Sequence, residues 1–171
     1  NYPTKLYIFK LPASRFWWVR YFVNNNAVRK TTKTESKREA IEFAKTRGLP
    51  NLWLVGWSFG TELALKYGFD KDIVGAILLS PPLHRATDSD LDRWVGNSRT
   101  LVALVPELDD YLQPAEAKAR FEKIEHAEII GVDGAKHLWV GESATKRVLD
   151  EIVRQVKAEA YPLPDSWTPS N

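Results

Sequence analysis

The apolar positions change rhythm near residue 50. Before it, residues 5–11 (KLYIFKL), 16–23 (FWWVRYFV) and 27–32 (AVRKTT) are short runs rich in aromatic and β-branched side chains. Pro12-Ala13-Ser14 and Asn24-Asn25-Asn26 separate them, so the pattern predicts three strands joined by turns. Thr34 or Ser36 is placed to cap a helix running to about Arg47, with Ala40, Ile41, Phe43 and Ala44 on one face and Gly48 ending it. Trp17, Trp18, Tyr21 and Phe22 cannot all point to one side of a strand, because side chains alternate. Both faces of that strand therefore need cover. The helix supplies one cover, and the sheet that follows is the nearest candidate for the other.

After residue 50 strands alternate with helices, the pattern of a parallel sheet. The predicted strands are Leu52–Trp57, Ile73–Leu79, 100–105 and Ala127–Val132; the helices are Phe59–Tyr67, closed by Gly68, then 114–124 and 143–159. Ile73–Leu79 is continuous in its apolar residues, as a strand covered on both faces should be. Residues 80–97 are expected to form a loop. The tail 161–171, with three prolines, is expected to be an extended strap or disordered. There is no internal repeat and no low-complexity tract. The expected fold class is α/β, with a small three-stranded antiparallel sheet and helix (1–48) ahead of a parallel-sheet region (49–171).

A chain of 171 residues makes one ordinary domain, or a domain with a small appendage. Its net charge of +2 conceals two segments of opposite sign. Residues 1–48 hold eleven lysines and arginines against three glutamates, a net +8, which leaves −6 for the remainder. Such asymmetry fits either a polyanion contact or a solvated surface complementing the acidic half. The absence of cysteine excludes disulfides and thiolate catalysis. No apolar run is long enough to span a membrane, and the first residues do not form a signal peptide, so a cytoplasmic location is the expectation. The chain starts at Asn1 and lacks methionine, which suggests a natural start further upstream.

Gly56-Trp57-Ser58-Phe59-Gly60 is G-x-S-x-G between a predicted strand and a predicted helix. A serine presented on a sharp turn there needs small neighbours two residues away, and the helix N-terminus favours negative charge developing nearby. The bland alternative is that Ser58 merely caps the helix. Two more strand ends carry candidate partners. Residues 106–114 (PELDDYLQP) follow the third parallel strand, with Asp109 and Asp110; residues 133–137 (DGAKH) follow the fourth and end at His137. Catalytic groups gather at the carboxyl ends of parallel strands. Histidine there would take the serine proton, and aspartate would fix its tautomer. His84 reads as a surface residue that could line a pocket, and His126 precedes a strand on the opposite side. Three histidines at no ligand spacing give a metal site little support, and no cofactor is expected. Trp57, Trp94 and Trp139 are candidate walls of an acyl pocket, with core packing expected of at least two.

The segments LWLVGWSFGTELALKYG, GAILLSPPL, LVALVPELDDYLQPAEA and VDGAKHLWVGE together resemble bacterial α/β-hydrolases of the small serine-hydrolase kind, over about residues 38–168. The resemblance implies a parallel-sheet α/β-hydrolase-like core, incomplete here, and a Ser58–Asp109–His137 triad in that family's chain order. Asp109 falls at the aspartate of the family's G-x-x-D pattern, with Pro106 in place of the glycine; Asp110 is the second choice. The backbone N–H of Phe59 is implied as one oxyanion-hole donor. The second usually lies in an early loop holding a His-Gly or Gly-Gly pair, and no such pair precedes Ser58. Residues 1–46 are similar to the N-terminal arm-type DNA-binding domain of phage integrases, through W-x-V-R-Y, the basic R-K-T-T run and T-x-S-K-R-E-A. That likeness implies DNA contacts from Arg20, Arg29, Lys30 and Lys33. The expected activity is hydrolysis of a small-molecule ester, thioester or amide through an acyl-enzyme. The alternative is a DNA-binding module, or a chimeric or truncated chain, on an inactive hydrolase-like scaffold. No membrane contact is expected, and oligomeric state is left open.

Overall fold

A computed structural model describes residues 6–11, 14–23, 26–45, 51–69 and 73–165. Its first sheet contains β1 (Leu6–Lys10), β2 (Trp17–Val23) and β3 (Asn26–Thr31), antiparallel in the order β1-β2-β3. Helix α1 (Lys37–Lys45) follows. Of the two candidate caps it is Ser36 whose hydroxyl accepts the Glu39 N–H at 3.4 Å, three residues on, while Thr34 donates its own hydroxyl to the Glu39 carboxylate. The predicted turns at 12–13 and 24–25 and the Gly48 helix end lie outside the described residues.

The second sheet is parallel, in the order β4-β5-β6-β7, from β4 (Leu52–Trp57), β5 (Ile73–Leu79), β6 (Thr100–Pro106) and β7 (Ala127–Val132). Helices α2 (Phe59–Tyr67), α3 (Asp88–Asp92), α4 (Pro114–Phe121) and α5 (Glu142–Val156) connect and cover it. Because side chains alternate along a strand, each strand feeds two cores. Leu54, Ala76, Leu78, Leu101, Ala103 and Val105 pack with Leu65 of α2 and Phe121 of α4. Their neighbours Ile77, Leu79, Val102 and Leu104 pack on the other face with Val148 and Ile152 of α5. This explains why β5 and β6 are apolar almost throughout.

The first of these cores does not stop at the parallel sheet. Ile8 of β1, Val19 of β2, and Ala40 and Ile41 of α1 belong to the same buried cluster as Leu52 and Leu54 of β4. Val19 and Trp17, on one face of β2, are covered in this way.

Several boundaries differ from expectation. The stretch 80–97 is not all loop, since α3 lies in it, held by a capping box in which Thr87 and Asp90 exchange side-chain and backbone bonds. Helix α4 stops at Phe121, and α5 gives way to a short 3-10 turn at Ala158–Ala160. Gly68 closes α2, yet its φ of −73° is open to any residue. Its smallness answers a close approach instead: a Cβ there would stand 2.7 Å from the Trp94 ring and 2.6 Å from the Ala64 carbonyl. The first residues of the tail form a strap along α5, where the Leu163 N–H meets Asp150 at 2.8 Å; residues 166–171 lie outside the described set.

Candidate active site

The carboxyl ends of β4, β5, β6 and β7 lie side by side, so four chain segments distant in sequence deliver residues to one edge. Ser58 follows β4 directly and sits at φ 50°, ψ −123°, a conformation rarely adopted by residues with a side chain. Its N–H donates to the Leu79 carbonyl at the end of β5 (2.9 Å), and its own carbonyl receives both the Thr61 hydroxyl (2.7 Å) and the Thr61 N–H (2.9 Å). This clamp holds the strand-to-helix turn in its strained form. Gly56 is required for it, because a Cβ would meet the Gly60 carbonyl at 2.4 Å. Gly60 differs from expectation: a Cβ there would face open space, so crowding does not demand a glycine.

The loop after β6 turns at once, with the Asp109 N–H on the Pro106 carbonyl (3.3 Å). Asp109 is buried and accepts the Tyr111 N–H through Oδ1 at 2.9 Å, the local bond that aspartate makes two residues on in turns. This loop is stitched to the one after β7. Glu107 accepts the Gly134 N–H at 2.8 Å, and the Leu108 N–H donates to the Ala135 carbonyl at 3.0 Å.

That second loop carries His137. Its Nδ1 lies 2.9 Å from Asp109 Oδ2 and 3.1 Å from Oδ1, and its Nε2 lies 2.9 Å from Ser58 Oγ. With Nδ1–H given to the carboxylate, Nε2 is the free base and accepts the Ser58 hydroxyl proton. The His137 and Asp109 side chains retain only 11% and 2% exposure, so little water competes for that pair. Asp110, the other candidate acid, is exposed; the carboxylate on His137 is that of Asp109.

The remaining candidates fall around this centre. Phe59 is the first residue of α2, and a helix's first N–H has no partner within the helix. A helix N-terminus carries partial positive charge, and that of α2 begins at the residue after Ser58. Trp94 and Trp139 are buried, whereas Trp57 is 44% exposed. His84 is exposed and stands edge-on to Tyr111, which in turn stands edge-on to His137 at 4.7 Å between ring centroids. His126 lies exposed just before β7, at the opposite end of the sheet. Tyr111, Trp57 and Ser80 are all in contact with His137; the sequence offers Trp57 only as a candidate pocket wall, and no spacing rule marks Tyr111 or Ser80. Among the described residues no cluster of three or more His, Asp or Glu could hold a metal ion, and no helix is long and apolar enough to cross a membrane. Arg29, Lys30 and Lys33 are exposed on and just after β3, in the antiparallel sheet, while Arg20 is half-buried in β2 opposite Arg29.

No family model and no curated protein sequence matches the chain. Solved structures do. An α/β serine hydrolase homologue from Coxiella burnetii aligns with a TM-score of 0.58 at 18% identity, over 71% of this chain and 57% of its own. Thermogutta terrifontis esterase 2, phosphorylated by paraoxon, aligns with a TM-score of 0.55 at 14% identity, over 70% of this chain and 60% of its own. An esterase from Pyrococcus furiosus aligns at 0.50 and 16% identity, over 71% of this chain and 58% of its own. The chain has the α/β-hydrolase fold in incomplete form. It spans 57%, 60% and 58% of the lengths of those three proteins.

Proposed function

We propose that the chain is a serine hydrolase cleaving a small ester, thioester or amide, with Ser58 as nucleophile, His137 as general base and Asp109 as its orienting acid. The observation that carries this reading is the continuous hydrogen-bond line from buried Asp109 through His137 to Ser58 on a strained turn. In the first step His137 Nε2 takes the Ser58 proton while Oγ attacks the carbonyl carbon. The oxyanion is received by the Phe59 N–H. The proton then passes to the leaving group, and water enters by the same route in reverse to free the acyl-enzyme. Loss of one oxyanion donor lowers turnover about a hundred- to a thousand-fold, so a chain with Phe59 alone is expected to be slow. Exposed Trp57, Phe59, Tyr111 and Leu138, adjoining Ser58 or His137 in sequence or by ring contact, favour an uncharged apolar acyl group.

A fluorophosphonate probe tests the reading without knowledge of the substrate, because it reacts only with an activated serine. Wild type is expected to label, and Ser58→Ala to lose labelling with its melting temperature retained. Equal labelling of the two would place the reactive residue elsewhere.

A second reading, compatible with the first, is that the N-terminal sheet contacts DNA. It is favoured by exposed Arg29, Lys30 and Lys33 in a segment with no acidic residue before Glu35. Duplex binding should then weaken steeply with salt, and Arg29→Ala with Lys30→Ala should flatten the slope by about two phosphate contacts. Salt-independent binding, or none at low salt, removes this reading.

A further inference from the structure

His137 is held at three points, only two of which belong to the triad. Its main-chain carbonyl receives the Trp57 indole N–H at 3.1 Å and the Ser80 hydroxyl at 3.0 Å. Two donors use both lone pairs of a carbonyl oxygen. Both come from the strand ends that hold the nucleophile. Trp57 is the residue before Ser58, and Ser80 follows Leu79, whose carbonyl accepts the Ser58 N–H. The base and the nucleophile are therefore fixed to one pair of strand ends.

The two donors are unusual as residues. Trp57 is 44% exposed and contributes little to either core, yet its one polar atom is spent on His137. Ser80 is 1% exposed and holds φ at +49°, a value that favours glycine, while its N–H is tied to the Leu104 carbonyl at 2.9 Å. That backbone keeps its hydroxyl aimed across the sheet edge. The other ties of the loop bearing His137 lead elsewhere: Gly134 and Ala135 bond the loop after β6, and the Trp139 carbonyl accepts the Thr145 hydroxyl at the start of α5, so the Trp57 and Ser80 donors are what join it to the ends of β4 and β5.

We infer that Trp57 and Ser80 are positioning residues that grip the His137 carbonyl and so set the distance from His137 Nε2 to Ser58. This rests on the triad reading, since it assigns the grip a role in serine activation. Without the two donors the carbonyl turns to water and the loop loses its register against β4 and β5. A displacement of about 1 Å at a reacting group costs on the order of a hundredfold in rate.

The test uses Trp57→Phe, which keeps the ring and removes the N–H, Ser80→Ala, and the double variant, all in the full chain. Two quantities are read on each: the second-order rate of fluorophosphonate labelling, and the low-field proton resonance of His137 Nδ1–H in the hydrogen bond to Asp109. The double variant is expected to label about a hundredfold more slowly, and each single variant about tenfold. The resonance, sharp in wild type, should broaden or vanish in the double variant while the melting temperature stays near that of wild type. Labelling within twofold of wild type, with the resonance intact, overturns the inference. If the double variant does not fold, Trp57→Phe decides alone, because its side chain is half exposed and its volume nearly kept. A wild type that does not label removes the proposed hydrolase. The resonance then still decides the grip: its loss in the variants upholds positioning, and its persistence, or its absence from wild type, overturns it.

Discussion

The two sheets of this molecule organise chemistry in opposite ways. In the parallel sheet every strand runs in one direction, so residues 57–58, 80, 106–109 and 133–137 arrive at a single edge although they are far apart in sequence. In the antiparallel sheet neighbouring strands reverse, and β1 meets β2, and β2 meets β3, through pairs close in sequence. Such a sheet gathers nothing from a distance. What it presents is a surface, here the exposed basic residues of β3. The difference shows why a triad is expected from the first region and only an electrostatic contact from the second. Their charges part in the same way, +8 for residues 1–48 against −6 for the rest.

The comparison would fail if the two regions were separate folding units, and the largest effect tests that. Val19 lies in the antiparallel sheet, has no exposure, and belongs to the cluster containing Leu52 and Leu54 of β4. Val19→Asp would bury a carboxylate among apolar side chains, a change costing several kcal/mol even when the group neutralises itself. With one shared core, the variant should lose the single melting transition and the labelling of Ser58 together. A variant that still labels and melts in a second, unaltered step would show that the antiparallel sheet folds apart from the site.

A smaller change sharpens the packing of the parallel region. Gly68→Ala should destabilise by about 1–3 kcal/mol through overpacking against Trp94 and the Ala64 carbonyl, read as a lower denaturant midpoint with unchanged slope. A neutral or stabilising result would mean that Trp94 yields, although its indole N–H is fixed on the Leu65 carbonyl at 2.9 Å.

How much was legible in the sequence follows the same division between local and distant causes. Strand β5 and helix α2 could be bounded from continuous apolar residues and from the turn chemistry on either side, both local signals. Ser58, His137 and the pair Asp109 and Asp110 could be named because they follow strands of a parallel sheet, and only the family resemblance preferred Asp109. Helix α3 falls where the apolar pattern predicts loop, since its five residues are set by one capping box and too short for periodicity to register. Gly68 was legible as a stop but for a different reason, as only the fold brings Trp94 against it. Gly60 fits the motif without any crowding that requires it. The Trp57 and Ser80 donors were invisible, because both reach an acceptor more than fifty residues away.

The smallest effect concerns acid. Among the described residues the carboxylates held below their ordinary range are Asp90, Asp150 and Glu151, all in the parallel region. Asp90 is lowered chiefly by the Thr87 backbone N–H, and Asp150 by Lys146 and then by the Leu163 N–H. For Glu151 burial acts the other way and is the largest single influence, but the bonds from Arg154, Gln155 and Arg147 together outweigh it. Arg154 also reaches Glu128 on β7, so this cluster fastens α5 to the sheet. A carboxylate with a lowered folded value contributes stability above its unfolded value and loses it as pH falls through the folded one. The chain should therefore lose stability progressively below about pH 4, the range where free carboxylates begin to protonate. Glu151→Gln should lower stability by about 1–3 kcal/mol at neutral pH, the worth of hydrogen bonds to a charged group, with solvent at the half-exposed arginines favouring the lower end. It should also flatten the acid limb of a plot of stability against pH. Arg29→Ala, in the antiparallel sheet, should leave that limb unchanged. If Glu151→Gln retains the full acid slope, Glu151 is not what acid releases, and the response belongs to Asp90, Asp150 or net charge.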